Sequence, residues 1–270
     1  MSIKFTILCE NSVGMPFGGV GEHGFACFIE SDSGNYLFDT GQGLGILQNA
    51  AVLNKDLASI KATMIIPVVC RRYCNVAGGC RFYAHKEIFV RRFWGKQRRF
   101  IGIPFRRSFL ESLGADFKLS RKMVELAPGI FLTGEIPRRT HFELGDAEMV
   151  AVYDDGSEKQ PDPLNDDFSL VVKTSKGLVV VLGCAHAGMV NIIDYVKDNF
   201  PGEKIYSVFG GTHMGFSGSK QFDETMKVID RYEIEKLGVS HCTGLAKSAQ
   251  IYARMPDRFF FACVGATLET

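Results

Sequence analysis

The chain has almost no excess charge of either sign. Its 270 residues carry 31 Lys plus Arg against 30 Asp plus Glu, a formal net charge of +1. That balance argues against a nucleic-acid binder, whose surface needs a broad basic field. Long apolar runs are missing too. None reaches the roughly 18 to 20 residues that a membrane span requires, so no membrane span is expected. Cysteines are few: eight, far too sparse for a disulfide scaffold, which fits a reducing, cytoplasmic setting. The opening residues Met1–Leu8 lack the punctuation of a signal peptide and read as a first strand. What is present is ordinary for a globular chain: 46% hydrophobic and 23% charged residues, enough to exclude a disordered chain and to fill a sizeable core. No low-complexity linker divides it, so one domain over 1–270 is expected. Nothing in the sequence sets an oligomeric state.

Strand and helix signals alternate along the chain. Lys4–Cys9 and Phe25–Glu30 are short β-favouring runs, and a Ser31–Asn35 turn cluster leads into a strand over Tyr36–Asp39. Leu44, Leu47, Ala51 and Val52 recur at helical spacing, and Thr63–Val69 reads as a buried strand. In the second half, Phe168–Thr174 and Leu178–Leu182 flank a Ser-Lys-Gly turn and predict a hairpin. Gly188–Phe200 predicts an amphipathic helix, followed by a strand (Lys204–Phe209), a helix (Phe222–Tyr232), a strand (Lys236–Ser240), a helix (Lys247–Tyr252) and a last strand (Phe259–Val264). Asp154–Asp167, with two prolines, reads as an exposed loop. The class is α/β.

The near-neutral total conceals one polarised segment. Arg81–Arg107 holds nine basic residues and one acid, a net +8, which leaves −7 for the remainder. It also holds Phe82, Tyr83, Phe89, Phe93, Trp94, Phe100 and Phe105. Such a run is either a solvated helix face or a surface that attracts an anionic, phosphate-bearing small molecule or a membrane surface.

Three histidines stand at equivalent places. His186 follows the strand Leu178–Leu182, His213 follows Lys204–Phe209, and His241 follows Lys236–Ser240, each among small residues. Carboxyl ends of strands are where α/β sheets assemble their sites. Imidazole suits zinc and its neighbours in the transition series. Asp39, in Asp39-Thr40-Gly41, also ends a strand and can either orient a histidine or cap the following helix. Glu22 and His23 sit in a glycine-rich stretch that lacks the strand–helix setting of a phosphate loop. Cys184 and Cys242 adjoin these loops, with small apolar packing as the default for each. Cys70, Cys74 and Cys80 lack a nearby fourth ligand at structural-zinc spacing.

In their order and spacing, several blocks resemble the metallo-β-lactamase superfamily. They are Glu10-Asn11, Glu22-His23-Gly24, Phe38-Asp39-Thr40-Gly41, Tyr83-Ala84-His85, Ile101–Pro104, Ala127-Pro128-Gly129, Thr133–Arg138, Gly183–Gly188, Gly210–His213 and His241–Gly244. They look most like the branch that includes the dihydropterin–ribofuranosylaminobenzene phosphate synthases. The resemblance covers nearly the whole chain. It implies an αββα sandwich of two mixed sheets flanked by helices, with a metal site at one edge. It further implies a metal-dependent hydrolase-type activity or, more narrowly, a transferase joining a dihydropterin to an aryl ribose phosphate. By the same resemblance His186 and His241 match metal ligands, His213 lies near a bridging carboxylate's place, Asp39 supports the ligands, and Glu22, His23 and Arg138 face substrate.

One departure outweighs these matches. The superfamily's His-x-His-x-Asp-His signature, aligned on Gly78-Gly79, falls on Arg71, Tyr73, Asn75 and Val76. Arginine stays protonated and valine has no ligand atom, which leaves Tyr73 and Asn75 as poor substitute ligands. A complete two-metal centre is therefore not expected. At most one zinc or other divalent ion is, and none if the fold survives only as a degenerate, non-catalytic small-molecule binder. A rebuilt one-ion site is the second explanation. The third is that residues 67–82 do not follow the gene's native reading frame.

Overall fold

The computed structural model describes residues 2–14, 18–65, 81–153 and 160–270. Asn75, the cysteines at 70, 74 and 80, and most of the departing strip lie outside these residues. Two seven-stranded mixed sheets dominate. The first orders its strands Thr267–Glu269, Lys4–Cys9, Ala26–Ser31, Gly34–Phe38, Ile60–Met64, Arg81–Ala84 and Asp116–Leu119. The second runs Phe259–Phe261, Lys236–Ser240, Ile205–Gly211, Gly177–Leu182, Ser169–Thr174, Ile130–Leu132 and Val124–Ala127.

Side-chain alternation explains how the layers stack. On the first strand Phe5 and Ile7 face one cluster, while Leu8 faces another. On Gly177–Leu182, Val179 and Val181 join the same cluster as Phe5, while Leu178, Val180 and Leu182 turn the other way. The shared cluster lies between the sheets, where the Phe5 and Phe209 rings meet edge to face at 5.5 Å. Each fully buried side chain of this size contributes roughly 1.5–3 kcal/mol by leaving water. The outer face of the second sheet packs on helices Met189–Asn199, Ser219–Arg231 and Leu245–Arg254, and that of the first on Ile46–Val52 and Arg107–Ser112. The result is the αββα order expected from the sequence.

Two expectations fail. The Arg81–Arg107 segment is not a helix face. It supplies Arg81–Ala84 to the first sheet, and Arg91–Trp94 and Arg99–Phe100 to a separate sheet of four strands, completed by Met149–Val152 and Gln160–Pro161. Its aromatic and β-branched content favours strands, and Gly95 at φ 73° supplies a turn between two of them. Nor is the stretch before Ser169 exposed throughout its described part, although Gln160, Pro161 and Pro163 are. Asp162, Leu164, Asp166 and Asp167 are all buried. The cause is Arg92, itself 1% exposed, whose Nε donates to Asp162 Oδ2 at 2.7 Å and whose Nη1 pairs with Asp166 Oδ2 at 2.9 Å. The strand expected from Thr63 instead begins at Ile60 and ends at Met64. No helix among the described residues is long and apolar enough to cross a membrane.

Candidate functional site

The strands Gly177–Leu182, Ile205–Gly211 and Lys236–Ser240 are parallel neighbours, with Leu182 opposite Gly210 and Gly211 opposite Ser240. Their carboxyl ends therefore share one edge, and His186, His213 and His241 are delivered together. The His186 and His213 rings lie 4.4 Å apart between centroids. From the loop before the first sheet's strand Ala26–Ser31, the His23 ring lies 4.6 Å from that of His241, tilted by 53°. Close approach needs glycine at Gly211, where an added Cβ would stand 2.9 Å from Cys242 Sγ and 2.4 Å from Gly183 O.

The backbone at this edge is unusual. Eight described non-glycine residues have φ in the left-handed region, and Asp39, Ala185, His213 and His241 are four of them. Each such conformation costs on the order of 1–3 kcal/mol and persists only where the surroundings enforce it. Here the enforcers can be named. Asp167 accepts the Cys184 N–H at 3.2 Å and the His186 N–H. Glu10 Oε1 accepts the His241 N–H at 2.6 Å. Arg138 donates from Nη1 to His186 O at 2.7 Å and from Nη2 to Pro163 O at 2.8 Å. Glu143 accepts the N–H groups of Val190 and Asn191, which caps the helix after His186.

Two thiols complete the cluster. Cys184, His241 and Cys242 offer ligand atoms all within 4.8 Å of one another. Cys242 Sγ donates to Cys184 O at 3.2 Å and accepts the His213 N–H at 3.2 Å. The Cys184 thiol hydrogen-bonds with Cys242, which together with burial pushes its pKa up to about 12. Burial lowers the pKa of His213 and His23, the latter also through the charges of His241 and Arg99. Burial opposes protonation of His241, but Cys184 and Glu10 outweigh it and raise its pKa. Asp39 is raised well above the carboxylate range by burial, with Asp167 and Glu22 adding to it.

Of the residues singled out from the sequence, His186, His213, His241 and His23 converge. Asp39 accepts the Thr40 N–H at 2.7 Å, and Glu22 is buried, its Oε2 accepting the Leu44 N–H at 2.7 Å. Arg138 is spent on backbone carbonyls, so it positions His186. Asp167 was hidden by the loop reading. Its signal was register: Ser169 pairs with Leu182, which puts the residues before Ser169 beside those after Leu182.

Compared with solved structures, the chain matches a metal-dependent hydrolase of the beta-lactamase superfamily at TM-score 0.84 and 26% identity, covering 99% of both chains. The metallo-beta-lactamase fold protein YhfI of Bacillus subtilis matches at TM-score 0.54 and 12% identity, covering 100% of both. The chain is a metallo-β-lactamase-fold protein. Its similarity in sequence extends to a 7,8-dihydropterin-6-methyl-4-(beta-D-ribofuranosyl)-aminobenzene-5'-phosphate synthase of Methanocaldococcus jannaschii, 27% identical over 90% of this chain and 88% of that one. A second, uncharacterised protein of the same organism is 24% identical over 96% and 97%. No protein-family model matches the chain.

The described residues of this metallo-β-lactamase-fold protein fit a metal by one direct test. His186 Nδ1 and His213 Nδ1 are buried without a hydrogen-bond partner. A buried imidazole nitrogen is normally hydrogen-bonded, and one left open has its lone pair or proton in reserve for a ligand.

Proposed function

We propose that this protein is a one-metal enzyme of the hydrolase or transferase type that acts on a phosphate-bearing small molecule. The observation that carries the reading is the convergence of His186, His213 and His241 from three adjacent strand ends, with unpartnered nitrogens on two of them. His186 and His241 would hold the ion. When bound, such an ion polarises a phosphoryl oxygen and lowers the pKa of a bound water. Asp167, Glu10 and Arg138 keep the ligand loops in their strained form. Arg99, close enough to bias the His23 titration, brings the basic segment to the rim and gives an anion its counter-charge. Asn75 is the candidate ligand from the 66–80 strip. The narrower transferase reading, joining a dihydropterin to an aryl ribose phosphate, rests on the named Methanocaldococcus jannaschii relative. We place the protein in the reducing cytoplasm, in keeping with free thiols at Cys184, Cys242 and Cys263.

The missing His-x-His-x-Asp-His favours a second reading, a non-catalytic binder of the same ligand class. Metal analysis combined with phosphoesterase and lactonase screens separates the two. No more than one tight ion per chain is expected, together with turnover of a phosphate ester that vanishes in the His186→Ala/His241→Ala double variant. Two equivalents of metal would refute the one-ion site. Anion binding without turnover would establish the non-catalytic reading.

A further inference from the structure

We propose that Cys184, Cys242 and His241, with His186 as the fourth donor, form a thiolate–imidazole site for one zinc-class ion. This rests on the one-ion reading above and names the ligands and the kind of ion.

Donor chemistry comes first. Two nearby carboxylates are already committed: Glu10 to the His241 and Ser12 N–H groups, and Asp167 to those of Cys184 and His186. The ligand atoms that lie within reach of one another are sulfur and nitrogen. Such a set selects zinc and other thiophilic ions over magnesium, calcium or manganese. Tetrahedral zinc, with bonds of about 2.0 to 2.3 Å, separates its ligand atoms by roughly 3.3–3.8 Å. The three atoms found within 4.8 Å can meet that by small side-chain rotations.

Orientation comes second. Asn11 Oδ1 lies 3.1 Å from His241 Nδ1, and the Gly24 N–H donates to the same oxygen at 3.4 Å. An amide oxygen only accepts, so the His241 proton belongs on Nδ1 and the Nε2 lone pair is free. Metal-bound imidazoles are oriented by such a carbonyl on their other nitrogen. His186, two residues after Cys184, contributes an unpartnered, buried Nδ1. The His213 N–H on Cys242 Sγ is a donor that steadies a thiolate.

Charge closes the account. Binding a divalent ion releases one proton from each thiol, and two thiolates plus the ion sum to zero, which a half-buried site tolerates. The superfamily's own signature is not needed for this site, so residues 66–80 are not required for it.

The test uses the full chain, purified under reducing conditions, stripped with a chelator and titrated with Co²⁺ as a spectroscopic substitute for zinc. We expect one equivalent bound, with a thiolate-to-cobalt charge-transfer band in the near ultraviolet. Cys184→Ser and Cys242→Ser should each weaken binding at least tenfold and reduce the band by about half. The Cys70→Ser/Cys74→Ser/Cys80→Ser triple variant should keep both. On the unmutated chain, Zn²⁺ should slow alkylation of Cys184 and Cys242 at least tenfold while leaving Cys263 unchanged, a readout that needs no variant to fold. Cobalt bound without the band overturns the thiolate site and leaves the one-ion reading standing. No bound cobalt overturns both. A band that survives in the two single variants, or is lost in the triple one, or thiols that zinc does not protect, also overturns the site. The expected band without phosphate-ester turnover would instead overturn only the enzymatic reading.

Discussion

Two of the places where this molecule buries charged groups treat them differently. In the cluster of Arg92, Asp162 and Asp166, the guanidinium meets Asp162 at 2.7 Å, Asp166 at 2.9 Å and Glu87 O at 3.1 Å. At the strand-end loops the carboxylates Glu10 and Asp167 are spent on backbone N–H groups, yet His186 and His213 keep a nitrogen without a partner. The first arrangement sets one buried cation against two buried carboxylates and fastens the small four-stranded sheet to the sandwich, with Arg92 in ion-pair contact with both although neither Asp166 oxygen has a hydrogen-bond partner. The second holds strained backbone in place so that lone pairs stay open.

The sharpest way to break this contrast is to remove the arginine. Arg92→Leu leaves two buried carboxylates with no cation. Breaking one side of a buried ion pair costs about 3–5 kcal/mol, to be read from urea unfolding. A loss under about 1 kcal/mol would mean that the ion cluster does not fasten the sheet. The next largest effect belongs to Gly188, at φ 98°, where an added Cβ would lie 2.2 Å from Glu143 Cδ. Gly188→Ala is expected to cost about 1–3 kcal/mol in backbone strain, with more from displacing Glu143 off the helix cap. Unchanged thermal unfolding in that variant would show the cap to be dispensable. By contrast, His186→Ala/His241→Ala should change stability by no more than about 1 kcal/mol, because the hydrogen bond of His241 Nδ1 with Asn11 is exposed and His186 Nδ1 has no partner to lose, while metal binding is lost. A large loss of stability there would move the histidines into the architectural class.

The fold was legible because its signals are local. Alternation in Leu178–Leu182 and in Lys4–Cys9 puts side chains on two faces, and two separate clusters then follow. The three histidines were legible because each ends a strand. Asp167 and Arg92 were not, since their roles depend on pairing across long stretches of chain: Arg92 reaches Asp162 70 positions away and Asp167 reaches His186 across 19. Composition marked Arg92 as one more solvated charge, and two prolines marked Asp162 as loop. The thiols of Cys184 and Cys242 read as packing because only the parallel register of their strands shows them to be neighbours.

The mildest test of the contrast is its pH dependence. One arginine faces two carboxylates in the buried cluster, which leaves a negative charge uncompensated. Burial, with the Asp162 charge adding to it and Arg92 opposing, pushes the Asp166 pKa up to about 7. Neither Asp166 oxygen has a hydrogen-bond partner, as suits a group that can carry the proton itself. The unfolded chain would release that proton near pH 4. Between about pH 4 and 7 the folded state therefore binds more protons than the unfolded state, and Asp166's contribution to stability falls as pH rises through that window. Asp166→Asn, which fixes the group as neutral, is expected to flatten this part of the profile in urea titrations between pH 5 and 8. A variant with the same pH slope as the parent would show that Asp166 does not take up a proton in this window.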